Sequence, residues 1–93
     1  MNEFVYLVLR LNGESYDIIS IVSSLPKAKK SAKIYLSVNE KDNRTIIWEC
    51  HTNKSKNGSF WFGTIVNEIG PELEICKVKI DNPYFFSFIK EEK

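Results

Sequence analysis

The side chains best suited to covalent or metal chemistry in this 93-residue chain are Cys50, His51 and Cys76, and the first two are neighbours. A thiolate nucleophile needs a base within hydrogen-bonding reach. The stretch from Thr45 to Thr52, TIIWECHT, has the β-branched and aromatic content of a strand, and neighbouring residues of a strand point to opposite faces. Cys50 and His51 therefore do not form a dyad with each other, and Cys76 meets His51 only if the sheet register brings them together. Two Cys and one His without CxxC or HxxxH spacing are too few clustered ligands for a structural zinc site, so neither metal nor cofactor is expected. Glu49 sits between Trp48 and Cys50, but acid–base catalysis wants paired carboxylates in a pocket, and an outward polar residue on a half-buried strand explains Glu49 more simply. Gly13, Gly58, Gly63 and Gly70 are dispersed, each with a turn or strand explanation, so there is no phosphate loop. The chain is not expected to be an enzyme.

The elements that must position these residues follow from periodicity. Phe4 to Leu11 is apolar on both parities until Arg10, the pattern of an interior strand covered on both faces. Asn12-Gly13 signals a hairpin with a type I′ turn, and Tyr16 to Val22 makes the returning strand. Ser23-Ser24-Leu25-Pro26 starts a helix: a serine hydroxyl caps free amides, and proline fits the first turn. Leu25, Ala28, Ala32, Tyr35 and Leu36 then recur at three- and four-residue steps, with Lys27, Lys29, Lys30 and Lys33 largely elsewhere, predicting an amphipathic helix of roughly 12 residues. Its small alanines favour close approach to a sheet. Thr45 to Thr52 and Phe60 to Val66 form a second hairpin around a polar loop, and Leu73 to Ile80 forms a fifth strand after the turn at Ile69-Gly70-Pro71. Alternation in that last strand predicts Cys76 and Val78 inward, Lys77 and Lys79 outward. Asn82-Pro83 breaks it, and residues 82–93 form an aromatic tail.

The expected class is α+β: a mostly antiparallel five-stranded sheet with one helix packed on one face, in the order β-β-α-β-β-β, as a single domain over residues 1–93. One helix covers one face of such a sheet. The other is solvated, covered by the tail, or covered by a partner. The stretch SKNGSFWFG, residues 55–63, sharpens the point. Phe60 and Phe62 share one face and Trp61 takes the other, so whichever parity lies under the helix, something aromatic faces the second side.

Composition narrows the classes of partner. With 13 basic and 12 acidic side chains the net charge is +1, which supplies no global field toward nucleic acid or an anionic membrane. Met1-Asn2-Glu3 is an acidic start where a signal peptide wants positive charge, so the expected location is the cytoplasm of a bacterial host cell, with no membrane partner, reduced thiols and unused sequons at Asn43, Asn53 and Asn57. Lysine outnumbers arginine 11 to 2, and Ile and Asn are frequent, the bias of an AT-rich coding sequence from a low-GC bacterium or its phage.

Residues 5 to 36, VYLVLRLNGESYDIISIVSSLPKAKKSAKIYL, resemble the opening of small uncharacterised α+β proteins of phages and low-GC bacteria, with Ser23, Ser24, Lys27, Ala28 and Trp48 at the corresponding places. That resemblance implies a fold and no active site, and by analogy with proteins of this size and origin an accessory factor that blocks a host component. The leading expectation is a protein-binding module, a phage-encoded inhibitor or modulator of a host defence or regulatory protein. It would act through an aromatic sheet face or edge strand, with Trp61, Trp48, Phe60, Phe62, Tyr84 and Phe86 as apolar anchors and Lys77 and Lys79 as the rim. The alternative is a binder of a small nucleotide-like molecule, in the cleft between helix and sheet or between two subunits. Third is single-stranded nucleic acid: Lys56, Gly58, Phe60 and Phe62 loosely resemble the stacking strand of an RNA-recognition domain, though the second helix and second aromatic strand are missing. Homo-oligomerisation through an edge strand also fits.

Overall fold

Phe4–Asn12 (β1) and Ser15–Val22 (β2) pair antiparallel, with Asn12 opposite Ser15 across the two-residue turn Gly13-Glu14. The turn is shifted by one residue from the expected Asn12-Gly13. Gly13 takes the first central position with φ 66°, and no other residue of the turn has positive φ, the pattern of type II′. Register slips between Val8 and Leu9, leaving Ile19 as the extra residue of a β-bulge. The computed structural model describes residues 4–53 and 58–79.

The helix α1 (Leu25–Asn39) is 15 residues long, with Pro26 in its first turn. Ser24 is its N-cap: the hydroxyl oxygen accepts from the Lys27 N–H at 3.3 Å. At the other end the Leu36 carbonyl accepts from the N–H groups of both Glu40 and Asp42 at 3.0 Å, while Lys41, at φ 52°, turns the chain away. Ile46–Asn53 (β3), Gly58–Ile65 (β4) and Leu73–Lys79 (β5) follow as an antiparallel meander. Asn67, at φ 73°, occupies the third position of the turn closed by the Glu68 N–H to the Ile65 carbonyl.

The strand order is β2-β1-β5-β4-β3, all pairs antiparallel, so the first and last strands meet in the interior and β2 and β3 are the two edges. This is the α+β fold expected, one helix on a five-stranded antiparallel sheet. The helix packs over β2, β1 and β5, and the chain after it continues to β3 at the far edge. Ala28 and Ala32 are fully buried, which lets the backbone come close, and they meet Val8, Leu36, Ile65, Leu73 and Ile75 in the core. Ser20 and Ser31 join hydroxyls at 2.6 Å between β2 and the helix.

β1 is buried on both sides, as its apolar run predicts: Val8 faces the helix, while Leu7 and Leu9, of opposite parity, are 0% and 2% exposed on the second face. β5 corrects the expectation of Cys76 and Val78 inward against lysines outward. Leu73 and Ile75 are the fully buried pair, under the helix, and Lys77 and Lys79 share their side. The alternation was right, but both faces of an interior strand carry apolar residues, so it could not say which was deeper. Among the described residues no helix is long and apolar enough to cross a membrane.

Candidate partner-binding face

The face turned away from the helix has two unlike ends. Leu7 stands in a row with Ile21 and Cys76, and Leu9 in a row with Ile18 and Glu74, and both leucines are out of reach of solvent. Toward β3 the face opens. There the β3–β4 register sets Ile47 opposite Thr64, Glu49 opposite Phe62 and His51 opposite Phe60. Directly opposite side chains on one face lie roughly 5 Å apart, so the register alone gathers a cluster.

The cluster is aromatic. The His51 and Phe60 rings stack with centroids 5.6 Å apart and planes at 9°, and Phe62 meets His51 edge-on at 5.3 Å and Phe60 edge-on at 5.3 Å. These are the offset and T-shaped geometries that ring quadrupoles favour. His51 Nε2 lies 2.8 Å from Glu49 Oε1, an exposed pair that is ionic only when the imidazole is protonated. A shallow groove of about 300 Å³ runs along this end, lined by Ile47, Glu49, His51, Phe62, Thr64 and Pro71. Ile47 is 57% exposed, a large apolar side chain at the rim.

Trp48 and Trp61 stand on the helix side, which settles the parity of the Phe60-Trp61-Phe62 run. Trp61 packs against the core and lies 6.0 Å from the Tyr6 ring, and Trp48 packs across Gly63 beside Ile46. The two tryptophans thus belong with the helix-side core, on the opposite side from Phe60 and Phe62. Lys77 extends its Nζ to 4.5 Å above the Phe4 ring, a cation–π contact, and Lys79 is exposed at the strand end. Both are remote from Phe60 and Phe62 by parity. Tyr84 and Phe86, with the rest of the aromatic tail, lie outside the described residues.

The geometry also separates groups that reactive chemistry would need together. Cys50, exposed, shares the helix side of β3 with Trp48, while His51 is on the other side. Cys76 and His51 do share a face, but Phe60 stands between them in the same row, so two strand spacings, roughly 9.5 Å, part them. The Cys76 thiol instead donates to Glu74 Oε2 at 3.1 Å. No group of three or more metal-ligating side chains occurs among the described residues. The helix lysines and the Phe60–Phe62 pair lie on opposite sides of the sheet, and Lys27 donates to Ser23 at 3.3 Å.

The strongest electrostatics serve architecture. Arg10 forms two hydrogen bonds to Glu40, at 2.7 and 2.9 Å, and one to the Glu72 carbonyl at 2.9 Å, joining β1, the helix end and the β4–β5 turn. Hydrogen bonding from Arg10 holds the Glu40 carboxyl below its ordinary range. Arg44 likewise clamps Asp42 and reaches Glu68 at 2.9 Å. Its side-chain bonds pull the Asp42 carboxyl down to about 2.

Compared with known protein families, curated proteins and solved structures, the chain matches none. Residue geometry alone therefore carries the functional reading. Sequence reasoning singled out Phe60 and Phe62 but missed His51 and Ile47 as their companions. The available signal was parity: Ile47, Glu49 and His51 alternate onto one face of β3, and a hairpin must lay that face beside one parity of β4.

Proposed function

We propose that this protein is a small protein-binding module whose docking surface is the open end of the sheet face turned away from the helix. Phe60, Phe62 and Ile47 are its apolar anchors, with Glu49 and His51 as the polar border. The observation that supports this reading is the preorganised cluster of His51, Phe60 and Phe62 on the side of the sheet opposite the helix, next to an exposed isoleucine on an edge strand. Aromatic side chains already locked against one another lose little freedom on binding, which is why they dominate the energetic centres of interfaces. The target class is a host-cell protein of regulatory or defensive type, met in the bacterial cytoplasm by a phage-encoded inhibitor or modulator. Its test is affinity capture from a bacterial lysate at moderate salt, with Phe62→Ala and Ile47→Lys run beside the parent chain. A protein retained by the parent and lost from both variants, with circular dichroism unchanged, supports the reading. Retention indifferent to both variants overturns it.

The groove favours a second reading. Its volume, about 300 Å³, reaches the lower bound of small-molecule sites, and Phe62 and His51 offer ring faces to a planar ligand such as a nucleotide base. Mass spectrometry of denatured protein would reveal a co-purifying molecule in near-stoichiometric amount.

A further inference from the structure

The two edges of the sheet are not equivalent. β2 is interrupted by the bulge at Ile19 and lies beneath the helix, both of which blunt an edge. Among the described residues β3 is less protected, with Glu49 as its one carboxylate. It pairs with β4 through eight consecutive residues without a bulge, and Ile46–Asn53 contains no proline, lysine or arginine. Among the described residues β3 has β4 as its one strand neighbour, so its outer row of backbone N–H and C=O groups is a template for another strand.

We infer that this edge pairs with the same edge of a second copy, antiparallel and centred on Cys50. Charge selects the occupant and the register. Glu49 and His51 lie two residues apart on one face, and a two-fold axis through Cys50 sets Glu49 of each copy opposite His51 of the other. Within one copy these side chains already pair through Glu49 Oε1 and His51 Nε2, and among the described residues Glu49 Oε2 and His51 Nδ1 have no partner. With both imidazole nitrogens protonated and donating, the second copy completes a ring of alternating carboxylate and imidazolium. Moving the axis by one residue destroys this: centred on Glu49 it opposes two carboxylates, and centred on His51 it opposes two imidazoles. Cys50, exposed in the monomer, faces its own copy across the axis, and Trp48 lies opposite Thr52.

The assembly is a ten-stranded sheet with both helices on one side. On the other side the His51, Phe60 and Phe62 clusters of the two copies adjoin across the axis, so the open face doubles in length. The edge contact does not depend on the docking role proposed for that face, and the two are read by different measurements: chain mass and the Cys50 crosslink report the edge, and Phe62-dependent capture reports the face.

The test uses the full chain with Cys76→Ser, which leaves Cys50 as the sole thiol and preserves a donor to Glu74. Light scattering is expected to give twice the 10.8 kDa chain mass as concentration rises. A short bis-maleimide is expected to join Cys50 to Cys50, since opposite Cβ atoms in paired strands are about 5 Å apart. Glu49→Lys, at an exposed position, is expected to weaken the dimer at least tenfold and suppress the crosslink. The exchange Glu49→His with His51→Glu is expected to restore both, because the alternation of carboxylate and protonated imidazole is rebuilt. A chain that stays at monomer mass, or a dimer and crosslink indifferent to Glu49→Lys, overturns the inference.

Discussion

Trp48 lies across Gly63 with the benzenoid edge of its indole where a side chain would begin: Cζ3 and Cη2 are 2.7 and 2.9 Å from the position a Cβ would take, and Ile46 Cγ2 is 2.8 Å away. The glycine is a seat for the ring, directly opposite Trp48 in the β3–β4 register. Gly63→Ala is therefore expected to force Trp48 out of its place and to cost about 1–3 kcal/mol through overpacking. A urea titration followed by tryptophan fluorescence checks it. A variant as stable as the parent, with the emission of the folded state unchanged, would show that the ring moves freely.

Leu7 and Leu36 are both at most 1% exposed, yet they sit on opposite sides of the sheet, Leu36 on the helix and Leu7 beneath the face turned away from it. Truncating either to alanine removes buried methyl groups and leaves a cavity, so each variant should lose about 2–5 kcal/mol. Comparable losses in denaturant melts are expected. A loss confined to Leu36→Ala would mean that the second face contributes little to stability, and would move the docking surface toward β1.

Acid should loosen the end of the sheet where the helix leaves. Hydrogen bonds from Arg44 lower the Asp42 carboxyl to about 2, and those from Arg10 lower Glu40. A carboxyl depressed in the folded state binds fewer protons there than in the unfolded chain, so its contribution is present above the unfolded value of about 4 and disappears as pH falls toward the folded one. Thermal stability is expected to be level from neutral pH to about 5 and to decline between about 4 and 2. Arg44→Met, which removes the clamp on Asp42, should flatten part of that decline. A decline of unchanged depth in the variant would assign acid sensitivity to other carboxyls.

Local features of the fold were readable because they rest on neighbouring residues. Ser24 and Pro26 mark the helix start through capping, Ala28 and Ala32 mark its inner stripe through spacing, and the double-sided apolar run around Val8 marks an interior strand. Strand order was not readable, because the pairing of β1 with β5 joins segments far apart in the chain and nothing local specifies it. The inner side of β5 was obscured by Lys77, whose long aliphatic stem lets a residue on the core side carry its charge out to the Phe4 ring. At the candidate face, Phe60 and Phe62 could be named from the sequence, but not placed. With Trp61 between them, each side of β4 offers an aromatic surface, and only the set of strands around it decides which meets the helix.

The seam between β1 and β5 also governs how the chain reaches its native state. β1, β2 and the helix form one local assembly, and β3, β4 and β5 form another, each built from elements close together in the chain. The seam pairs Phe4 with Lys79, the longest closure in the described fold, and its entropic cost must be met before the two assemblies share a core. Folding should thus be limited by the docking of two ready-made halves, and mutations at Val8 or Ile75, which face each other across the seam, should slow refolding more than mutations within either hairpin.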